Sequence, residues 1–147
     1  LRELEGRMQA CFAAGALAAG CEYDIDNSAP PYAELKPDQW LADVCREEMR
    51  RLGREPMAPE VETRFPMGST DMGNVTQVLP GIHPVIGVDA GGATVHQRAF
   101  AAAAAGPSAD RAVVDGAIML ARTVVQLAQT PPERDRVMAA HERRAHP

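Results

Sequence analysis

The chain is poor in several features, and each shortage closes off a class of function. Cysteine is scarce: 3 residues in 147, Cys11, Cys21 and Cys45, an odd number with no C-x-x-C spacing. That argues against a disulfide framework or a zinc knuckle, reads all three as small buried hydrophobes, and points to a reducing cytoplasm. No uninterrupted run of about 18 apolar residues occurs, so no membrane span is expected. The most apolar stretches, 10–19 and 99–105, are short and alanine-rich. Basic charge is also low, with Lys+Arg at 15 against Asp+Glu at 20 and a net charge of -5. No basic block forms a phosphate-binding stripe, so nucleic acid is not an expected partner. The Arg-rich end from Glu142 to Pro147 reads instead as a solvated helix end. No P-loop, G-x-G-x-x-G or G-x-S-x-G motif is present: Ala90-Gly91-Gly92-Ala93 has neither the spacing nor the helix opening, and Ser69 lacks the nucleophile elbow. The chain opens on Leu-Arg-Glu-Leu-Glu, without Met, helix cap or signal, as though entered mid-helix. The expectation is a piece of a longer protein.

What is present is ordinary soluble composition, 46% hydrophobic and 24% charged, enough for one domain or a small domain plus part of another. Leu4, Met8, Cys11, Phe12, Gly15 and Ala18 stack on one helical face of residues 1–19, and Gly20 reads as the C-cap. Residues 21–26 alternate, Tyr23 and Ile25 against Glu22, Asp24 and Asp26, which predicts a strand with one wet face. Asn27 to Pro31 reads as a hinge. Asp38 is a candidate N-cap for a helix whose stripe is Leu41, Val44, Cys45, Met49 and Leu52 and which Gly53 ends. Residues 60–65 read as a weak strand, 74–79 as a short helix and 82–88 as a buried strand. Past the alanine-dense 99–105, a long helix with Ser108 as a possible cap carries Val113, Val114, Ala117, Ile118, Ala121, Val124, Val125 and Ala128 on a wide apolar face. A stripe that broad predicts a helix covered by a sheet. Thr130-Pro131-Pro132 ends it, and a charged helix over 133–144 follows. The alternation of elements predicts an α/β fold lacking its earlier strands.

The stretch Gly68 to Pro84 stands apart. It joins a Gly68-Ser69-Thr70-Asp71 turn, a Gly73-Asn74 pair, a short apolar run and an Ile82-His83-Pro84 step, and His96 follows after a second apolar run and a glycine pair. Small hydroxyl and carboxylate groups on a glycine-flanked turn present backbone N–H groups and oxygens to a ligand, and also make an ordinary turn. Asp71 therefore fits a turn-former, a ligand or a ligand's partner. His83 lies at a strand start, facing backbone or substrate. His96 sits where ligands bind in open α/β sheets, outside the strand ends. A catalytic zinc site needs three or more protein ligands, which this chain does not visibly supply.

Gly68-Ser-Thr-Asp-Met-Gly-Asn-Val75 followed by Val78-Leu-Pro-Gly-Ile-His-Pro84 resembles the zinc amidohydrolases of the aminoacylase, p-aminobenzoyl-glutamate hydrolase and dipeptidase type, peptidase family M twenty. His96 with the trailing Phe100 resembles the family's C-terminal metal-ligand histidine, although Gln97-Arg98-Ala99 is less polar than that subgroup's pattern. Residues 1–33 resemble the end of the family's lid or dimerisation domain, with Pro30-Pro31-Tyr32 as the return hinge, and 34–147 the C-terminal part of its catalytic domain. The resemblance implies hydrolysis of the amide bond of N-acyl amino acids or dipeptides by two zinc ions per full-length chain. It implies His96 as one ligand, and Gly68, Ser69, Thr70, Asp71, Asn74 and His83 as the substrate-binding side. It also implies a homodimer through the lid. The family's H-x-D motif, Glu-Glu pair and general base match nothing here, so this stretch alone is expected to be inactive. Two other expectations compete: a non-catalytic binding or regulatory protein that keeps the fold without metals, and a stand-alone α/β interaction domain.

Overall fold

A computed structural model of the chain describes residues 2–26, 28–62 and 68–145. The chain separates into two compact units, Leu1–Pro31 and Tyr32–Pro147. The first contains helix α1, Arg2–Ala19, followed by the segment 21–26. Helix α1 ends because Gly20, at φ +66, turns the chain so that its N–H reaches the Leu17 carbonyl at 3.2 Å while the Cys21 N–H reaches Ala16 at 2.9 Å. That is a Schellman closure, which satisfies two of the orphan carbonyls at a helix end.

The second unit is built from α2 (Gln39–Arg51), α3 (Pro59–Glu62), α4 (Met72–Val78), α5 (Arg98–Ala103), α6 (Pro107–Gln129) and α7 (Pro131–Ala145). Helix α2 starts where Asp38 accepts from the Leu41 N–H at 3.1 Å, the expected cap. It stops at Gly53 by the same closure as α1, with Gly53 N–H on Arg50 and Arg54 N–H on Met49. Its inner stripe buries Leu41 and Cys45 and also Glu48, a charged residue that hydrophobic patterning leaves out. Glu48 is held there by Arg51 at 2.6 Å and, from α6, by Gln126 at 3.4 Å and Arg122 at 3.7 Å. Arg54, just past α2, pairs with Asp115 of α6 at 2.8 Å and donates to the Gly87 carbonyl at 2.9 Å. The two helices therefore run in opposite senses.

Helix α6 differs from the expectation on two points. Its N-cap is Gly106, with Pro107 in the first turn, and Ser108 turns its hydroxyl to accept from the Asp89 N–H at 2.8 Å. Its buried face is a narrow line of Ala109, Ala112, Met119 and Thr123 rather than the wide valine face. The larger side chains are left outside: Val113 is 72% exposed and Val124 65%. The helix is long and apolar enough to cross a membrane by length and composition. Asp115 and Arg122 lie within it, both paired with groups from the neighbouring α2 region, as in a packed protein helix.

No β-ladder forms among the described residues. Residues 60–62 form the helical turn α3 rather than the weak strand expected over 60–65, because Pro59 fits a helix's first position and Arg46 of α2 pairs with Glu62. Residues 63–65 lie outside the described residues. In the segment 82–88, exposure still alternates: His83, Val85 and Gly87 are exposed, Pro84, Ile86 and Val88 half-buried. Ile86 lies over Gly116 of α6. This is the burial pattern of a strand covered by helix on one face.

Candidate functional site

The stretch 68–84 is positioned by α4 and by the extended residues 33–36. Gly68 is exposed at φ +75, Ser69 is exposed, and the Thr70 hydroxyl accepts from the Met72 N–H at 3.2 Å, starting the helix. Asp71 occupies the N-cap position with helical backbone angles, yet its carboxylate makes no bond to the cap and stays exposed. The inner side of α4 is polar rather than apolar. Asn74 Oδ1 accepts from the Ala33 N–H at 2.6 Å, Thr76 Oγ1 from the Lys36 N–H at 2.9 Å, and Gln77 Nε2 donates to the Glu34 carbonyl at 2.8 Å. Thr76, fully buried, also donates to Gly73 at 3.0 Å. Three side chains thus bond the backbone of a segment that has no ladder partner. Asn74 is therefore committed at Oδ1 to holding residue 33.

After α4 the chain turns through Pro80 and Gly81 to His83, which is exposed. The Gly81 carbonyl accepts from the Asp38 N–H at 2.9 Å, and His141 Nδ1 lies 3.3 Å from the Val78 carbonyl. Residues 89–97 form a separate braced turn, with the Gly91 N–H on Asp89 Oδ1 at 3.1 Å and the Ala93 N–H on the Ala90 carbonyl at 2.9 Å. His96 projects from it, exposed, at φ +66, the one described non-glycine residue with positive φ. A side chain held there costs of order 1 kcal/mol or more, which the loop must sustain.

The structure thus gathers Thr70 and Asp71 at the start of α4 and Asn74 within it, and presents His83 and His96 on segments that follow it. It does not assemble a metal cage: no group of three or more His, Cys, Asp or Glu side chains placed to hold an ion occurs among the described residues. Two open clefts lie elsewhere, about 370 Å³ beside Glu48, Arg51, Arg122 and Gln126, and about 480 Å³ within the first unit beside Phe12, Tyr23 and Ile25. Sequence reasoning missed the polar inner side of α4 and a bidentate pair between Arg136 of α7 and the buried Asp38, with both N–O distances 2.9 Å. Gly73 inside a helix was a readable signal for the first. The second joins residues 98 positions apart and left none.

The chain is similar to part of a dipeptidase. It is 35% identical over 133 residues to the mouse protein named Xaa-Arg dipeptidase and 34% identical over 131 residues to the human protein of that name, each match covering 89% of this chain. The chain spans about 30% of the length of those relatives. A match over 89% of the chain takes in the whole stretch from Gly68 to His96. No family model matches the chain. No solved structure matches it either.

Proposed function

We propose that this chain is the C-terminal part of a zinc-dependent dipeptidase of the M twenty type, hydrolysing the amide bond of dipeptides or N-acyl amino acids. The observation that carries the reading is the similarity, through the whole of 68–96, to two relatives named Xaa-Arg dipeptidase. In this reading His96 is one metal ligand. An exposed imidazole on a braced loop is a suitable donor, and zinc sites take histidine nitrogen readily. The remaining ligands and the general base would come from parts of the full-length protein outside this chain. When bound, the metals supply Lewis acidity toward the amide carbonyl and a nucleophile at neutral pH.

This chain's own residues bind and orient. Gly68 to Thr70 offer backbone and hydroxyl groups as one wall, and His83 is a further substrate-facing group. The relatives' name specifies arginine as the second residue of the dipeptide. The exposed Asp71 carboxylate, unused by its own helix, is the group that would receive such a guanidinium. The fold in this reading is α/β. A sheet supplied by the rest of the protein would continue from residues 82–88 and cover the exposed valines of α6. Residues 1–33 would then belong to a lid through which two copies pair, and the protein would work in the cytoplasm. The test is hydrolysis of Ala-Arg by the full-length protein. Activity that a chelator removes and added zinc restores supports the reading. Turnover untouched by the chelator, or absent with every dipeptide tried, overturns it.

A further inference from the structure

We propose that Asp38 and Arg136 are positioning residues for the His83 loop, an inference that rests on that loop lining the substrate pocket. Asp38 is 5% exposed and is bound from three directions. Its carboxylate accepts from Leu41 N–H at 3.1 Å to start α2, and takes both terminal nitrogens of Arg136 at 2.9 Å. Its backbone N–H donates to the Gly81 carbonyl at 2.9 Å, two residues before His83. Arg136 is in turn oriented by Glu133 at 2.6 Å, one turn earlier on α7. The same helix reaches the start of the loop through His141, against the Val78 carbonyl at 3.3 Å. The loop 79–83 is therefore anchored at Val78 and at Gly81, and both anchors lead to α7.

The geometry makes this more than a generic tie. A bidentate guanidinium–carboxylate pair fixes direction as well as distance. If Arg136 is lost, Asp38 can turn, and the peptide that holds Gly81 turns with it. His83 would shift although nothing touching it has changed. Lysine cannot restore the fork, since an ammonium is a point charge.

The experiment measures kcat and KM for Ala-Arg hydrolysis by the full-length protein and its Arg136→Met, Arg136→Lys and His83→Ala variants, well below their melting temperatures. Arg136→Met is expected to raise KM about tenfold with kcat changed less than about threefold, because binding is misplaced while the reacting groups lie elsewhere. Arg136→Lys should recover only part of that loss, and His83→Ala should raise KM directly. Should Arg136→Met fail to fold, Asp38→Asn, which keeps the cap on Leu41, gives the same reading. An unchanged KM in Arg136→Met or Asp38→Asn beside a raised KM in His83→Ala overturns the positioning role alone. An unchanged KM in all of them, His83→Ala included, removes the loop from the pocket and the proposal with it.

Discussion

Gly73 of α4 lies so close to Ala33 that a Cβ at position 73 would overlap the Ala33 carbonyl oxygen. Glycine inside a helix ordinarily costs about 1 kcal/mol relative to alanine. Here the sign reverses, because the obstacle is backbone that the Asn74 and Thr76 side chains hold in place. Gly73→Ala should lower stability by about 1–3 kcal/mol, the usual cost of overpacking. Thermal unfolding and protease sensitivity around 68–80 would show it. A variant as stable as the parent would mean that α4 does not sit against residues 33–36.

Asp71 should set preference at the second substrate residue. A charge-assisted bond to a guanidinium is worth about 1.5–3 kcal/mol. Asp71→Asn should therefore lower kcat/KM for Ala-Arg by about 10- to 100-fold while leaving Ala-Leu nearly untouched. Equal losses on both dipeptides would return Asp71 to the role of a turn-former.

The outer face of α6 should be covered in the full-length protein. Val113→Glu or Val124→Glu would bury an unpaired carboxylate beneath the covering sheet, which is strongly unfavourable. Each should lower the melting temperature of the full-length protein by several degrees or leave it insoluble. Variants that melt with the parent would show that the face is open to water.

Cysteine reactivity separates the three thiols. Burial pushes the Cys45 thiol up from its ordinary value of 9.0, with Arg46 partly opposing and Glu62 adding to the shift. Less thiolate at any given pH and no access for reagent both slow alkylation. Peptide mapping after brief iodoacetamide treatment near pH 8 should find Cys11 and Cys21 labelled and Cys45 intact until the protein is denatured. Early labelling of Cys45 would contradict its place on the buried face of α2.

Local chemistry made several elements legible from the residues. The Gly20 and Gly53 ends, the Asp38 cap and the span of the long helix follow from contacts within a few positions, which one sequence exposes directly. The buried Glu48 and the Arg136–Asp38 pair were not legible, because each is stabilised by a partner from a distant helix and polar letters read as surface. The apolar letters of α6 outnumber what α2 can cover, so its buried line, Ala109, Ala112, Met119 and Thr123, could not be chosen over the valines from apolarity alone. The apolar run at 82–88 reads as a buried strand, whereas exposure alternates along it and no ladder forms there, since a ladder requires a second strand that no local pattern supplies. At the candidate site the turn and the short helix were readable. Asn74's bond to Ala33 was not, since residue 33 carries no mark of needing it.

The claim on which the functional account depends is that His96 holds a metal, and elemental analysis of the purified full-length protein beside its His96→Ala variant tests it most directly. The account predicts about two zinc ions per chain in the parent, the stoichiometry of a two-metal site, and at least one fewer in the variant, with dipeptide hydrolysis lost in parallel. Equal zinc content and equal turnover in the two proteins would contradict it.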